Sequence, residues 1–144
     1  MSAPAASSRH RSTAFAGAYR TVGVETGVAG ATPHQLVTML FDGFNDAVAQ
    51  ARSALARGDI VAKCKAVTRA ARIVDEGLKA PLDAAGGVLT ENLRALYAYV
   101  TMRLTQANLN NDVEALDECV RLLEPVRSAW VAIGPAKGAT AEAA

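Results

Sequence analysis

The stretch Thr32-Pro33-His34-Gln35-Leu36-Val37-Thr38-Met39-Leu40-Phe41-Asp42-Gly43-Phe44 decides the fold. It opens on helix-start signals. The Thr32 hydroxyl can accept from orphan amides, Pro33 suits a first turn because it has no N–H to satisfy, and Gln35 completes a capping box. Leu36, Leu40, Phe44, Ala47, Val48, Ala51 and Leu55 then recur at three- and four-residue steps, a single helical stripe that Gly58 ends. Working outward, Asp59 caps a second helix in which Ile60, Cys64, Val67, Ala71, Val74 and Leu78 repeat the period until Pro81 and Gly86-Gly87. A third helix is expected from near Thr90, whose hydroxyl can cap it, with Leu89, Leu93, Leu96, Val100, Leu104 and Ala107 as its main stripe. Asn110-Asn111 is a tight joint. Asn111 to Glu114 then reads as a second capping box that launches Leu116, Val120, Leu123, Arg127 and Trp130. That fourth helix is expected to reach about Ile133, with a kink or break at Glu124 because Pro125 removes a backbone donor.

Four amphipathic helices with short connections, and no period-two run long enough for a sheet, predict an all-α fold, an antiparallel four-helix bundle over residues 32–133. Residues 1–18, rich in Ser and Ala with Arg9 and Arg11 and no acid, read as a disordered tail. A mitochondrial transit peptide shares that composition, and the flexible tail is the preferred reading. Residues 19–31 are expected to be a flexible N-terminal arm and hinge, with Tyr19, Val22 and Val24 alternating against polar neighbours. Residues 134–144 are expected to be a second disordered tail.

Composition excludes several function classes. The chain has 144 residues, 15 Lys+Arg against 14 Asp+Glu and a net charge of +1, the size of one domain with no excess of either sign. Balanced charge argues against nucleic acid or an anionic bilayer as partner, since both require clustered cations. Cys64 and Cys119 stand alone in helical patterns, with no metal-ligand spacing, which reads as a reducing compartment. The run Leu36 to Phe41 is far shorter than the ~20 residues of a membrane span, so no membrane insertion is expected. A metal site in a bundle requires several Glu and paired His, and the chain has only His10 and His34; His34 is expected to cap its helix or face solvent. There is no nucleophile elbow and no phosphate-binding loop. The expectation is no metal, no cofactor and no enzyme activity.

The anomaly is a second apolar line on the third helix. Ala95, Tyr99 and Met102 fall at i, i+4 and i+7 on a side other than the core stripe, and Met39 projects away from the stripe of the first helix. Either both faces are buried, the second beneath the N-terminal arm, or the second face is a groove for an amphipathic segment of another protein. Both hold if the arm is a removable lid. Arg94, Arg103, Asp112, Asp117, Glu118 and Arg121 read as a solvated surface.

Several segments, in order, resemble the flagellar secretion chaperone family (FliS). They are Ala18-Tyr19-Arg20 with Val24-Glu25-Thr26, Thr32 to Val37, and Met39 to Gly43. Further along come Glu91-Asn92-Leu93, Leu96-Tyr97, Tyr99-Val100, Leu104, Ala107-Asn108, Asn111 to Leu116, and Ala129-Trp130. The similarity spans about residues 18 to 133. It implies a cytoplasmic chaperone that holds the C-terminal region of flagellin, prevents premature polymerisation and delivers the subunit to a flagellar export gate component of the type III apparatus. It also implies that Tyr19, Val22 and Val24 belong to an N-terminal lid. Leu36, Met39, Leu40, Leu93, Leu96, Tyr99 and Met102 would be the partner surface or its support; Leu36, Leu40, Leu93 and Leu96 are open to a core reading instead. The rival expectation is a dimeric helical adaptor or regulatory domain that uses the same face, and a weak homodimer is compatible with both.

Overall fold

The first capping box forms as expected. Thr32 Oγ1 accepts from the Gln35 amide at 3.1 Å, and Gln35 Oε1 accepts in return from the Thr32 amide at 2.9 Å. Helix α1 runs over Pro33–Arg57. It stops at Gly58, whose φ of 72° and ψ of 19° would cost an L side chain energy. Asp59 caps α2 (Ile60–Arg72) by accepting from the Ala62 amide at 3.0 Å. Two further helices follow, α3 (Val88–Asn110) and α4 (Val113–Ala143). The computed structural model describes residues 30–84 and 86–143, the side chains of 83, 84 and 135–143 excepted. The expected tail 1–18 and the arm residues Tyr19, Val22 and Val24 therefore lie outside the described residues, as do the side chains of most of the expected C-terminal tail.

Side-chain pairs fix the topology. His34 meets Trp130, Asp42 meets Arg127 and Arg52 meets Asp117, so α1 and α4 run antiparallel. Gln50 reaches Arg69, Lys63 reaches Asn108 and Tyr99 reaches Glu118, which sets α1 against α2, α2 against α3 and α3 against α4. The four helices thus close an antiparallel ring. Its centre is filled by fully buried Leu40, Phe44 and Val48 from α1, Val100 and Leu104 from α3, and Leu116 and Cys119 from α4. Burial of this apolar surface is the main favourable term for a chain without a disulfide.

The structure corrects five local expectations. The second helix does not hold α geometry to Pro81. From Ile73 to Lys79 it widens into a π-helix, closed by an Ala80 amide that donates five residues back to the Asp75 carbonyl, and a 3-10 turn covers Ala80–Ala84. Within the π segment Gly77 faces Leu40 so closely that a Cβ would lie 2.9 Å from Leu40 Cδ2. Second, Thr90 does not cap α3. It lies one turn inside, buried, with Oγ1 donating back to the Gly86 carbonyl at 3.2 Å. Because Thr90 takes the inward place in that turn, Leu89, 100° away, is 71% exposed and leaves the core stripe.

Third, the cap of α4 is Asp112. Its Oδ1 accepts from the amides of Glu114 and Ala115. Asn111 instead ends α3 in the left-handed region (φ 53°, ψ 44°), which asparagine tolerates well. Fourth, α4 does not break at Glu124. The only non-helical dihedrals within Val113–Ala143 are those of Gly134 (φ 73°, ψ 157°). Pro125 and Arg121 are both exposed, so water can serve the Arg121 carbonyl that Pro125 leaves without a donor.

Fifth, His34 neither caps α1 nor stands in solvent. Its Nε2–H donates to the Trp130 carbonyl at 2.8 Å, and the Trp130 indole N–H donates to the His34 carbonyl at 3.0 Å. The two rings stack with centroids 4.8 Å apart. This reciprocal latch ties the first turn of α1 to the turn of α4 that precedes Gly134. Lys63 is a comparable surprise. It is buried, yet its Nζ donates to both the carbonyl and Oδ1 of Asn108 at 2.6 and 2.8 Å. The ammonium thus lies against the C-terminal end of α3, where the unpaired carbonyls of the last turn favour a cation.

Candidate functional site

Position along α3 separates its two apolar lines. Val100 and Leu104 are fully buried and Tyr97 nearly so, whereas on the other side Ala95 is exposed, Tyr99 is 39% exposed and Met102 is 45% exposed. The second apolar face is therefore open among the described residues. It is also longer than the sequence reading held. Val88 and Leu109, each 78% exposed, extend the line to both ends of the helix, giving the series Val88, Ala95, Tyr99, Met102, Leu109 at steps of seven, four, three and seven. That is the spacing of a coiled-coil seam. A step of seven residues either way, from Ala95 back and from Met102 on, reaches both residues in the sequence.

The remaining expected site residues are placed differently. Leu40 is fully buried beneath Gly77 and Leu36 is 9% exposed, so both belong to the core and cannot themselves form an open surface. Leu93 and Leu96 are half-buried against the core from α3, and support the helix that carries the seam. Met39 is also half-buried against the core. On α1 it falls in line with Asp46 and Ser53 at seven-residue steps. That line borders the groove between α1 and α2, which Gln50, Ser53, Lys65 and Arg69 line. The structure thus brings Tyr99 and Met102 together and sets Met39 on another flank.

Charged groups described by the sequence as plain surface organise the seam. Glu118 on α4 accepts from two side chains of α3: Tyr99 Oη–H donates to Oε2 at 2.8 Å and Arg103 Nε–H donates to Oε1 at 2.7 Å. Arg103 also donates through Nη1 to Gln106 Oε1 at 2.7 Å. The Arg103 bond, and after it that of Tyr99, holds the Glu118 carboxyl below the usual carboxylate range. Acceptance by Glu118 in turn raises the Tyr99 phenol above its ordinary value of 10.0. Elsewhere burial pushes the Cys119 thiol up to about 12, its S–H pointing at the Val100 carbonyl, so this cysteine is a packing residue. Among the described residues no cluster of His, Cys, Asp or Glu is placed to hold a metal ion, and no helix is long and apolar enough to cross a membrane.

A closed ring of helices whose one outer seam has coiled-coil spacing and no partner in the described chain defines a helical protein-binding module. Residues 15–137 match the family described as Flagellar protein FliS. Over 119 residues the chain is 50% identical to the flagellar secretion chaperone FliS of Salmonella typhimurium, covering 82% of this chain and 88% of that protein. It is 41% identical to the Escherichia coli flagellar secretion chaperone FliS over 78% of this chain and 84% of the relative. It is likewise 41% identical to the Pseudomonas aeruginosa flagellar secretion chaperone FliSB, over 78% and 89%. The chain belongs to the FliS family of flagellar secretion chaperones.

Proposed function

We propose that this protein binds the C-terminal region of flagellin in the cytoplasm, keeps it from polymerising prematurely, and delivers it to the flagellar type III export apparatus. The observation that carries this reading is the open seam of Val88, Ala95, Tyr99, Met102 and Leu109 on α3. An amphipathic client helix can lay its apolar stripe along such a seam, and Met and Tyr supply adaptable packing and a polar tip. At ~25 cal/mol per Å2 a wrapping client gains a large gross burial term, much of which the ordering of a disordered tail offsets, so binding is tight but reversible. The segment with Tyr19, Val22 and Val24 acts as a lid over this surface when no client is present, and a component of the export gate receives the loaded complex.

The test is co-purification with full-length flagellin and with flagellin lacking its C-terminal region, followed by light scattering. A one-to-one complex with the full-length client alone is expected. A chain that stays dimeric and ignores flagellin supports the adaptor reading instead. Tyr99→Asp and Met102→Asp should each weaken flagellin binding while the helical melting curve stays nearly unchanged, because both side chains are substantially exposed. Binding that survives both substitutions would place the client elsewhere. Deleting residues 1–26 should raise the client on-rate, and unaltered kinetics would remove the lid.

A further inference from the structure

Tyr99 is held in a way its position does not require. An exposed tyrosine on a helix normally samples several rotamers, yet here its hydroxyl is tied to a neighbouring helix, 19 residues along the chain. The acceptor is itself immobilised. Arg103, one turn beyond Tyr99 on the same helix, occupies the other oxygen of the Glu118 carboxylate and is braced by Gln106. Both donors thus come from α3 and converge on one α4 carboxylate, so the phenol lies across the α3–α4 seam and cannot swing outward without leaving Glu118. Two consequences follow. The one hydrogen-bonding hydrogen on the tyrosine is satisfied within the chain, which leaves the ring as an apolar contact. The carboxylate is paired with a guanidinium, so an arriving apolar stripe does not meet an uncompensated anion.

We propose that Glu118, braced by Arg103, is a positioning residue for client capture: it fixes the Tyr99 ring in its binding orientation before the client arrives. The proposal rests on the reading of the α3 seam as the client surface. Its effect is preorganisation, since immobilising a side chain on binding costs affinity that a fixed ring no longer loses. The corresponding change in dissociation constant for one side chain is about two- to twelvefold.

The experiment measures dissociation of a flagellin C-terminal fragment from the full chain and from the variants Glu118→Ala, Tyr99→Phe, their double, and Tyr99→Ala. Glu118→Ala and Tyr99→Phe should each speed dissociation by about two- to twelvefold, and the double should be no worse than either single, because all three release the same constraint. In the free protein the Tyr99 side-chain NMR couplings should report one rotamer in the parent and averaging in Glu118→Ala. Glu118→Gln, whose single amide oxygen can keep one of the two donors, should recover part of the loss. If Glu118→Ala unfolds, Tyr99→Phe decides alone, since it leaves the Glu118–Arg103 pair in place. Unchanged dissociation in Tyr99→Phe and Glu118→Ala, alongside a clear loss in Tyr99→Ala, overturns the positioning role and leaves the seam standing. A Tyr99→Ala variant that binds as the parent does overturns the seam itself.

Discussion

Substituting Gly77 by Ala tests the packing of the π segment directly. A Cβ there would sit 2.9 Å from Leu40 Cδ2, 3.0 Å from Cδ1 and 3.5 Å from Cγ, and Leu40 is fully buried, so the two methyls have little room to yield. Overpacking of a core by one methyl costs roughly 1–3 kcal/mol. Against this, replacing Gly in a helical segment returns about 0.5–1 kcal/mol of backbone entropy. The expected net is a loss of about 1 kcal/mol. Leu40→Ala alone should cost roughly 2–5 kcal/mol, the removed burial plus the cavity. The double variant is the informative one, because Leu40→Ala removes all three atoms that the new methyl meets. The clash vanishes and the methyl fills part of the cavity, so the double should be more stable than the sum of the singles by about 1 kcal/mol or more. Urea unfolding followed by helical circular dichroism measures all four corners of the cycle. Additivity within about 0.5 kcal/mol would refute the close approach of Gly77 to Leu40.

Three further outcomes are expected. Pro125→Ala should stabilise the protein, by up to about 3 kcal/mol, because it restores a donor to the Arg121 carbonyl in a stretch of α4 that runs without a break up to Gly134; a lower urea midpoint would contradict this. Lys63→Met keeps most of the buried stem but loses both bonds to Asn108, and should cost roughly 1–3 kcal/mol; a gain would mean that burying the ammonium outweighs its bonds. At alkaline pH, burial raises Tyr97 from 10.0 and Cys119 from 9.0, both to about 12. The unfolded chain releases these protons first. The stability they lend is therefore whole below about pH 9 and lost as pH climbs towards 12, so the urea midpoint should fall between pH 8 and pH 11, and a flat profile would refute it.

Much of the architecture was legible because its causes are local. The Thr32–Gln35 box, the left-handed Gly58 and the Asp59 cap each depend on residues within one turn, and sequence spacing alone places them. Errors arise where a distant group decides. The close packing at Gly77 depends on Leu40 lying opposite it, and the inward turn of Lys63 on Asn108, 45 residues away. His34 looked like an ordinary first-turn residue because its partner Trp130 is 96 residues on. At the candidate site the outward line of Tyr99 and Met102 was readable from periodicity. The Glu118 carboxylate that holds Tyr99 was not, since a charge on one helix reveals nothing about which side chain of another it meets. Met39 shows the converse: a residue off its stripe need not join the neighbouring apolar face, because the ring of helices sets α1 and α3 on opposite corners.

The latch between His34 and Trp130 brings the start of α1 and the last turn of α4 before Gly134 to one pole. A brief splice from the residues just after Trp130 back to Thr32 could turn the bundle into a circle, with fresh termini opened in the Gly58–Asp59 turn at the far pole. The same geography sets Thr32 and Trp130 in one neighbourhood, so that labels attached beside these two positions report on each other's surroundings.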